Sequence, residues 1–99
     1  MKKVMISQPM RGKTNEQIKA ERENIEEILR DEGFEVVDTI ISEKAPSNED
    51  EAIFYLAESV HFIGKVDMIF FMKGWEKARG CKIEHQIAVE YGKEVKYEN

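Results

Sequence analysis

The sequence has little of what builds covalent or metal-held scaffolds. One cysteine, Cys81, in 99 residues excludes an internal disulfide and fits a reducing compartment. The only two histidines, His61 and His85, do not stand at metal-ligand spacing with each other or with Cys81, so neither a metal nor any other cofactor is expected. No apolar run approaches the ~20 residues that span a bilayer. Met1-Lys2-Lys3 leads only into Val4-Met5-Ile6, too short for the apolar core of a signal peptide. The expectation is a cytoplasmic protein with no membrane partner. Positive charge is also short: 15 Lys and Arg against 20 Asp and Glu leave a formal net charge of -5. That excludes a general nucleic-acid-binding surface, which needs a basic patch, but not a nucleotide ligand, because a few local donors hold one phosphate. Internal repeats, linkers and low-complexity stretches are absent, and residues 1–99 read as one domain.

What remains alternates between apolar runs and helical patterns. Val4 to Ser7 predicts a buried first strand, broken by Pro9 and Gly12. Thr14 and Gln17 have capping-box spacing and open a helix whose stripe is Ile18, Ile25, Ile28 and Leu29. Glu21, Arg22, Glu26 and Arg30 fall on its wet side, and Gly33 closes it. Phe34 to Asp38, weakly continued by Ile40 and Ile41, predicts a second strand. After a polar loop, Ser47 or Asn48 caps a helix carrying Ile53, Leu56, Val60 and Ile63 inward and ending near Gly64, with His61 half-buried on it. The strongest apolar run, Val66 to Met72, reads as a central strand buried on both faces. A third helix, about Cys81 to Tyr91, is closed by Gly92, and Glu94 to Tyr97 makes the last strand.

This βαβαβαβ order implies an α/β fold: a small flavodoxin-like or Rossmann-like three-layer sandwich on a parallel sheet of four, possibly five, strands. In such sheets ligands bind beyond the carboxyl ends of the strands, where the strand order reverses. Two chemically unusual loops would meet there. The first, Ser7-Gln8-Pro9-Met10-Arg11-Gly12-Lys13, offers a hydroxyl, an amide and two cations beside a helix start, without P-loop or GxGxxG spacing. The second runs from Lys73 to Gly80. In it Gly74 and Gly80 allow tight turns, Trp75 offers a ring face, and Arg79 is a phosphate donor or a partner for Glu76 or Glu84.

Glu84 falls early in the third helix, where free amides and the helix dipole favour an anion. Spacing alone allows a helix-stabilising carboxylate or a nucleophile. His85 points about 100° away from it and is expected at the surface or an interface. Cys81 is expected to be buried as a small apolar residue.

Ile6-Ser7-Gln8-Pro9-Met10 resembles the "ISGPM" opening of nucleoside 2-deoxyribosyltransferase-like proteins. Gly74-Trp75-Glu76-Lys77-Ala78-Arg79-Gly80-Cys81-Lys82-Ile83-Glu84, followed by Ala88 and Tyr91-Gly92, resembles a segment of a small bacterial and phage branch of that superfamily. The resemblance implies a flavodoxin-like fold and an N-glycosidase or deoxyribosyltransferase-like activity on a nucleoside or nucleotide. Glu84 matches the glutamate that attacks the anomeric carbon, in the logic of a retaining glycosidase. Ser7 to Met10 would line the sugar and base pocket, with Arg11 beside them, and the loop of Gly74, Trp75, Glu76, Arg79 and Gly80 would lie at the sugar's 5′ end.

Three positions depart from the superfamily pattern. Ser59 stands where an aspartate usually handles the leaving base, Ala78 replaces a serine or aspartate at the 5′ end, and Gln8 replaces the motif's glycine. Ser59 is at most an auxiliary residue. These departures keep open an alternative of another class, a non-catalytic protein binding a nucleotide or ribosyl ligand. The resemblance also implies a homo-oligomer, a dimer or larger, and Phe54, Tyr55, Phe62 and Tyr91 are the aromatics in excess of one small core.

Overall fold

Sheet pairing follows from where the apolar runs lie. In the computed structural model, which describes residues 1–39 and 44–99, the elements are β1 (Lys3–Ser7), α1 (Asn15–Asp31), β2 (Glu35–Val36), α2 (Glu51–Ile63), β3 (Met68–Phe71), α3 (Arg79–Glu90) and β4 (Glu94–Tyr97), with a short 3-10 turn at Trp75–Lys77 before α3. The four strands form one parallel sheet in the order β2-β1-β3-β4. The fold is therefore α/β, a small flavodoxin-like or Rossmann-like sandwich, and no fifth strand occurs among the described residues.

Strand alternation sorts the core into two layers. On one face Val4, Ile6, Met68, Phe70 and Met72 pack on Ile25 and Leu29 of α1. On the other, Met5, Ile69 and Phe71 pack with Ile63, Val66 and Ala88, bringing α2 and α3 to that side. Full burial of each such side chain contributes about 1.5–3 kcal/mol. The order reverses between β1 and β3, whose register runs from Val4 opposite Met68 to Ser7 opposite Phe71. The loops leaving Ser7 and Phe71 thus start side by side, and the Met72 amide donates to the Ser7 carbonyl at 3.0 Å.

Several local expectations change. The Thr14–Gln17 capping box forms in both directions, but the buried stripe of α1 is rotated. Arg22, expected on the wet side, is buried, and Ile28, expected inward, is 45% exposed. The long arginine stem fills apolar space while its head reaches polar partners at the sheet edge. β2 is only two residues long, and the expected continuation through Ile40 and Ile41 lies outside the described residues.

Asp50, not Ser47 or Asn48, caps α2, accepting from the Ile53 amide at 3.1 Å. The expected stripe of α2 holds at the half-buried Leu56 and Val60 and the buried Ile63, whereas Ile53, in the first turn, is 64% exposed and His61 is exposed as well. β3 is shorter than the apolar run, although Val66 and Met72 remain buried. α3 begins two residues earlier than expected, so Gly80 lies inside the helix and makes no turn. No helix among the described residues is long and apolar enough to cross a membrane.

Gly74 and Gly80 should therefore respond oppositely to alanine. Gly74 has φ 92°, and a Cβ there would meet Pro9 Cγ at an ordinary 3.8 Å, so the cost is backbone strain alone. Gly74→Ala is expected to lower stability by about 1 kcal/mol. Gly80 is helical with nothing within 4 Å of an added Cβ, and Gly80→Ala should raise stability by about 0.5–1 kcal/mol. Urea denaturation of the two variants beside the parent checks both signs.

Candidate active site

Ser7 ends β1 on the face covered by α3, and Glu84 comes down from the second turn of that helix. The Ser7 hydroxyl donates to Glu84 Oε1 at 2.7 Å. Both residues are buried, Glu84 with only 7% of its surface exposed. Cys81, one turn earlier, is buried beside them. Burial pushes its thiol up, a hydrogen bond with Ser7 opposes that, and the Glu84 charge adds to it.

The helix dipole was expected to keep Glu84 ionised, but burial instead raises its carboxyl above the usual carboxylate range, and the Ser7 hydrogen bond offsets this only in part. The dipole's influence fades beyond the first helical turn, whereas loss of water acts at full strength on a buried carboxylate. Among the described residues no cation pairs with Glu84, and Arg79 pairs with neither Glu76 nor Glu84.

The first loop divides its residues between the two faces. Gln8, next after Ser7, points towards α1. Its Nε2 donates to the Ile18 carbonyl at 2.8 Å and its Oε1 receives a long 3.5 Å contact from Arg22 Nη1. Arg22 Nη2 in turn donates to Thr39 Oγ1 at 2.8 Å. The Gln8 amide, expected as a ligand contact, is thus spent on holding α1 to the sheet edge. Burial lowers the Arg22 guanidinium from its ordinary value, while Glu26 and Asp38 act in the opposite direction. Pro9 is half-buried and approaches Gly74 of the second loop. Met10 and Arg11 are exposed at the tip of the loop, which closes through a bond from the Lys13 amide to the Met10 carbonyl.

In the second loop, Trp75 stacks on His85 with ring centroids 4.2 Å apart and planes at 27°. Tyr97 lies 5.6 Å from the indole at 24°, and its hydroxyl meets His85 Nε2 at 2.6 Å. Phe71 packs edge-on to His85 from below. His85, expected at the surface, is half-buried under the indole, because aromatic contact covers the side of α3 facing β3 and β4. An open depression of about 630 Å³ lies outside this cluster, lined by Lys73, Gly74, Trp75, Glu76, Lys77, Tyr97 and Glu98. Glu84 is not part of its wall. Arg79 is exposed and Gly80 half-buried at the start of α3, where Ala78 supplies no side-chain cap. Ser59 is half-buried on α2, and no hydrogen bond among the described residues links it to Ser7 or Glu84.

The structure thus joins Ser7 with Glu84 and Pro9 with Gly74, and sets Trp75 one residue from the glutamate by way of His85. Met10, Arg11, Glu76 and Arg79 stand apart as exposed groups. Sequence reading missed Tyr97 and Glu98. Their one signal is position, at the carboxyl end of the strand next to β3.

The chain belongs to the family described as "Domain of unknown function (DUF4406)", whose model matches residues 2–97. No curated protein matches the chain.

The raised Glu84 carboxyl carries a stability prediction. A fold that raises a carboxyl's pKa binds more protons than the unfolded chain over the interval between the two values, so stability is greatest below the ordinary carboxylate range and falls as pH rises through the folded-state value. Glu84→Gln keeps an acceptor for Ser7 and carries no charge. The stability gap between Glu84→Gln and the parent should therefore widen in the variant's favour as pH rises above the ordinary glutamate value of about 4.3. Denaturation midpoints measured over a pH series upward from that value check it.

Proposed function

We propose that this DUF4406 member is an N-glycosidase or deoxyribosyltransferase-like enzyme of the nucleoside 2-deoxyribosyltransferase type, cleaving the N-glycosidic bond of a nucleoside or nucleotide with Glu84 as nucleophile. The observation that carries the reading is the buried Ser7–Glu84 bond of 2.7 Å at the point where the strand order reverses. A carboxylate placed where ligands bind in parallel sheets, and held by one hydroxyl with no cation, is suited to attack an electron-poor carbon. Attack by Glu84 on the anomeric carbon expels the base with the bonding pair and leaves a glycosyl ester. Water, or a second base, then takes the sugar and frees the carboxylate.

The uncapped start of α3 and the exposed Arg79 support a 5′-phosphorylated sugar over an unmodified one. Ser7 acts on the nucleophile as well as beside it, since its hydrogen bond favours the ionised form that burial disfavours. Exposed Ile53, Val89 and Tyr91 on the α2–α3 side suit assembly into a homo-oligomer.

A second reading, a non-catalytic protein holding the same ligand, is favoured by one feature: Glu84 is only 7% exposed, and its Oε1 is already engaged by Ser7. Incubation with a panel of nucleosides and their 5′-monophosphates, followed by chromatography for free base, separates the two. Base release that drops about 10³-fold or more in Glu84→Gln is expected. Release undiminished in that variant removes Glu84 from the nucleophile's role, and no release from any substrate while calorimetry detects binding overturns the glycosidase in favour of the second reading.

The acidic limb of the rate profile gives a finer check. Activity should rise with pH through the Glu84 transition. Ser7→Ala, which removes the opposing hydrogen bond, should move that limb to higher pH. An unmoved limb would assign the transition to another group.

A further inference from the structure

We infer that the depression outside Trp75 is a binding site for a flat heteroaromatic ring bearing N–H donors, a nucleobase or a close analogue, with Trp75 and Tyr97 as its stacking wall and Glu98 as its hydrogen-bond acceptor. This does not depend on Glu84 acting as a nucleophile, because Glu84 takes no part in the depression's wall.

Aromatic geometry is the first support. The indole of Trp75 is backed by His85 at 4.2 Å, and the His85 ring is fixed in turn by the Tyr97 hydroxyl and the edge of Phe71. His85 does not line the depression, whereas Trp75 and Tyr97 do, with planes only 24° apart. The Trp75 and Tyr97 rings are therefore held in place by each other and by His85 before any ligand arrives, and little side-chain entropy is lost when a third ring stacks on an open face. Tyr97 is 44% exposed, so apolar ring surface is left in water that a planar ligand would cover.

Polar groups around the rings select the kind of ring. Glu98 lines the depression, and its Oε1 accepts the Lys73 amide at 2.8 Å, which anchors the carboxylate at the rim and leaves Oε2 with no hydrogen-bond donor among the described residues. An acceptor fixed beside a stacking wall favours a ring edge that donates N–H, as the Watson–Crick edge of guanine does. Lys73 and Lys77 also line the depression, and among the described residues neither ammonium group has an ion-pair partner. A phosphate carried by the ligand would find a cation there, and the gain would shrink with salt.

Trp75 is the chain's single tryptophan, so its emission reports directly on its own ring face. Titration with guanosine, guanosine 5′-monophosphate and ribose 5-phosphate, exciting the indole selectively, is the test. Saturable quenching is expected from both guanine compounds, tighter for the monophosphate at low salt, and none from ribose 5-phosphate. Glu98→Gln, which keeps an oxygen for the Lys73 amide but replaces the free acceptor by a donor, should weaken guanosine binding several-fold. Trp75→Leu should weaken it about tenfold or more by calorimetry.

Circular dichroism establishes that each variant folds, and Glu98→Gln stands as the test should Trp75→Leu not do so. Absence of saturable quenching, or affinities unchanged in Glu98→Gln, overturns the inference. Quenching without base release leaves the ring site standing and the glycosidase reading refuted. Base release with unaltered Trp75 emission does the reverse.

Discussion

One buried hydrogen bond governs the carboxyl edge of the sheet. Ser7 and Glu84 are both removed from water, so each needs the other: a buried acceptor left without its donor costs about 1–3 kcal/mol, and more if charged. The bond therefore fixes how far α3 stands along β1 and how it is rotated. Once Glu84 faces Ser7, the next residue, His85, turns about 100° further, to the side where Phe71, Trp75 and Tyr97 lie. The aromatic cluster and the depression outside it thus follow from the rotation that the carboxyl pair sets. The loop between β3 and α3 accommodates this placement by a left-handed turn at Gly74.

Much of this was legible in the sequence because it rests on periodicity and punctuation. The element order, the central β3, the Thr14–Gln17 box, the Gly33 stop and the β4 span all come from local patterns that tertiary packing did not override. The misreadings have other causes. Arg22 and Ile28 were assigned by residue type to faces of α1, whose rotation suits the polar partners Gln8 and Thr39, while Ile53 lies on the expected stripe of α2 but in its exposed first turn. A one-residue change in phase turns a helix by 100° and exchanges its edges.

The candidate site was legible in position more than in state. Glu84 and Ser7 stood at the two expected loops, and their meeting was implied by the parallel order. That Glu84 would be short of water was not, because burial of one carboxyl depends on how three elements close over it. Gln8 reads as a ligand contact from its place in the loop, yet strand alternation alone sends it to the face opposite Ser7. That signal was present in the sequence.

The edge therefore holds two environments on opposite terms with water. On one side a carboxyl is enclosed, uncharged more readily than usual, and tied to a hydroxyl. On the other, rings and ammonium groups stand open around a depression. His85 belongs to both: its backbone continues the helix that carries Glu84, and its ring supports Trp75. The two environments thus meet through adjacent residues of one helix, which packs on the 3-10 turn, β3 and β4 as well as on α2.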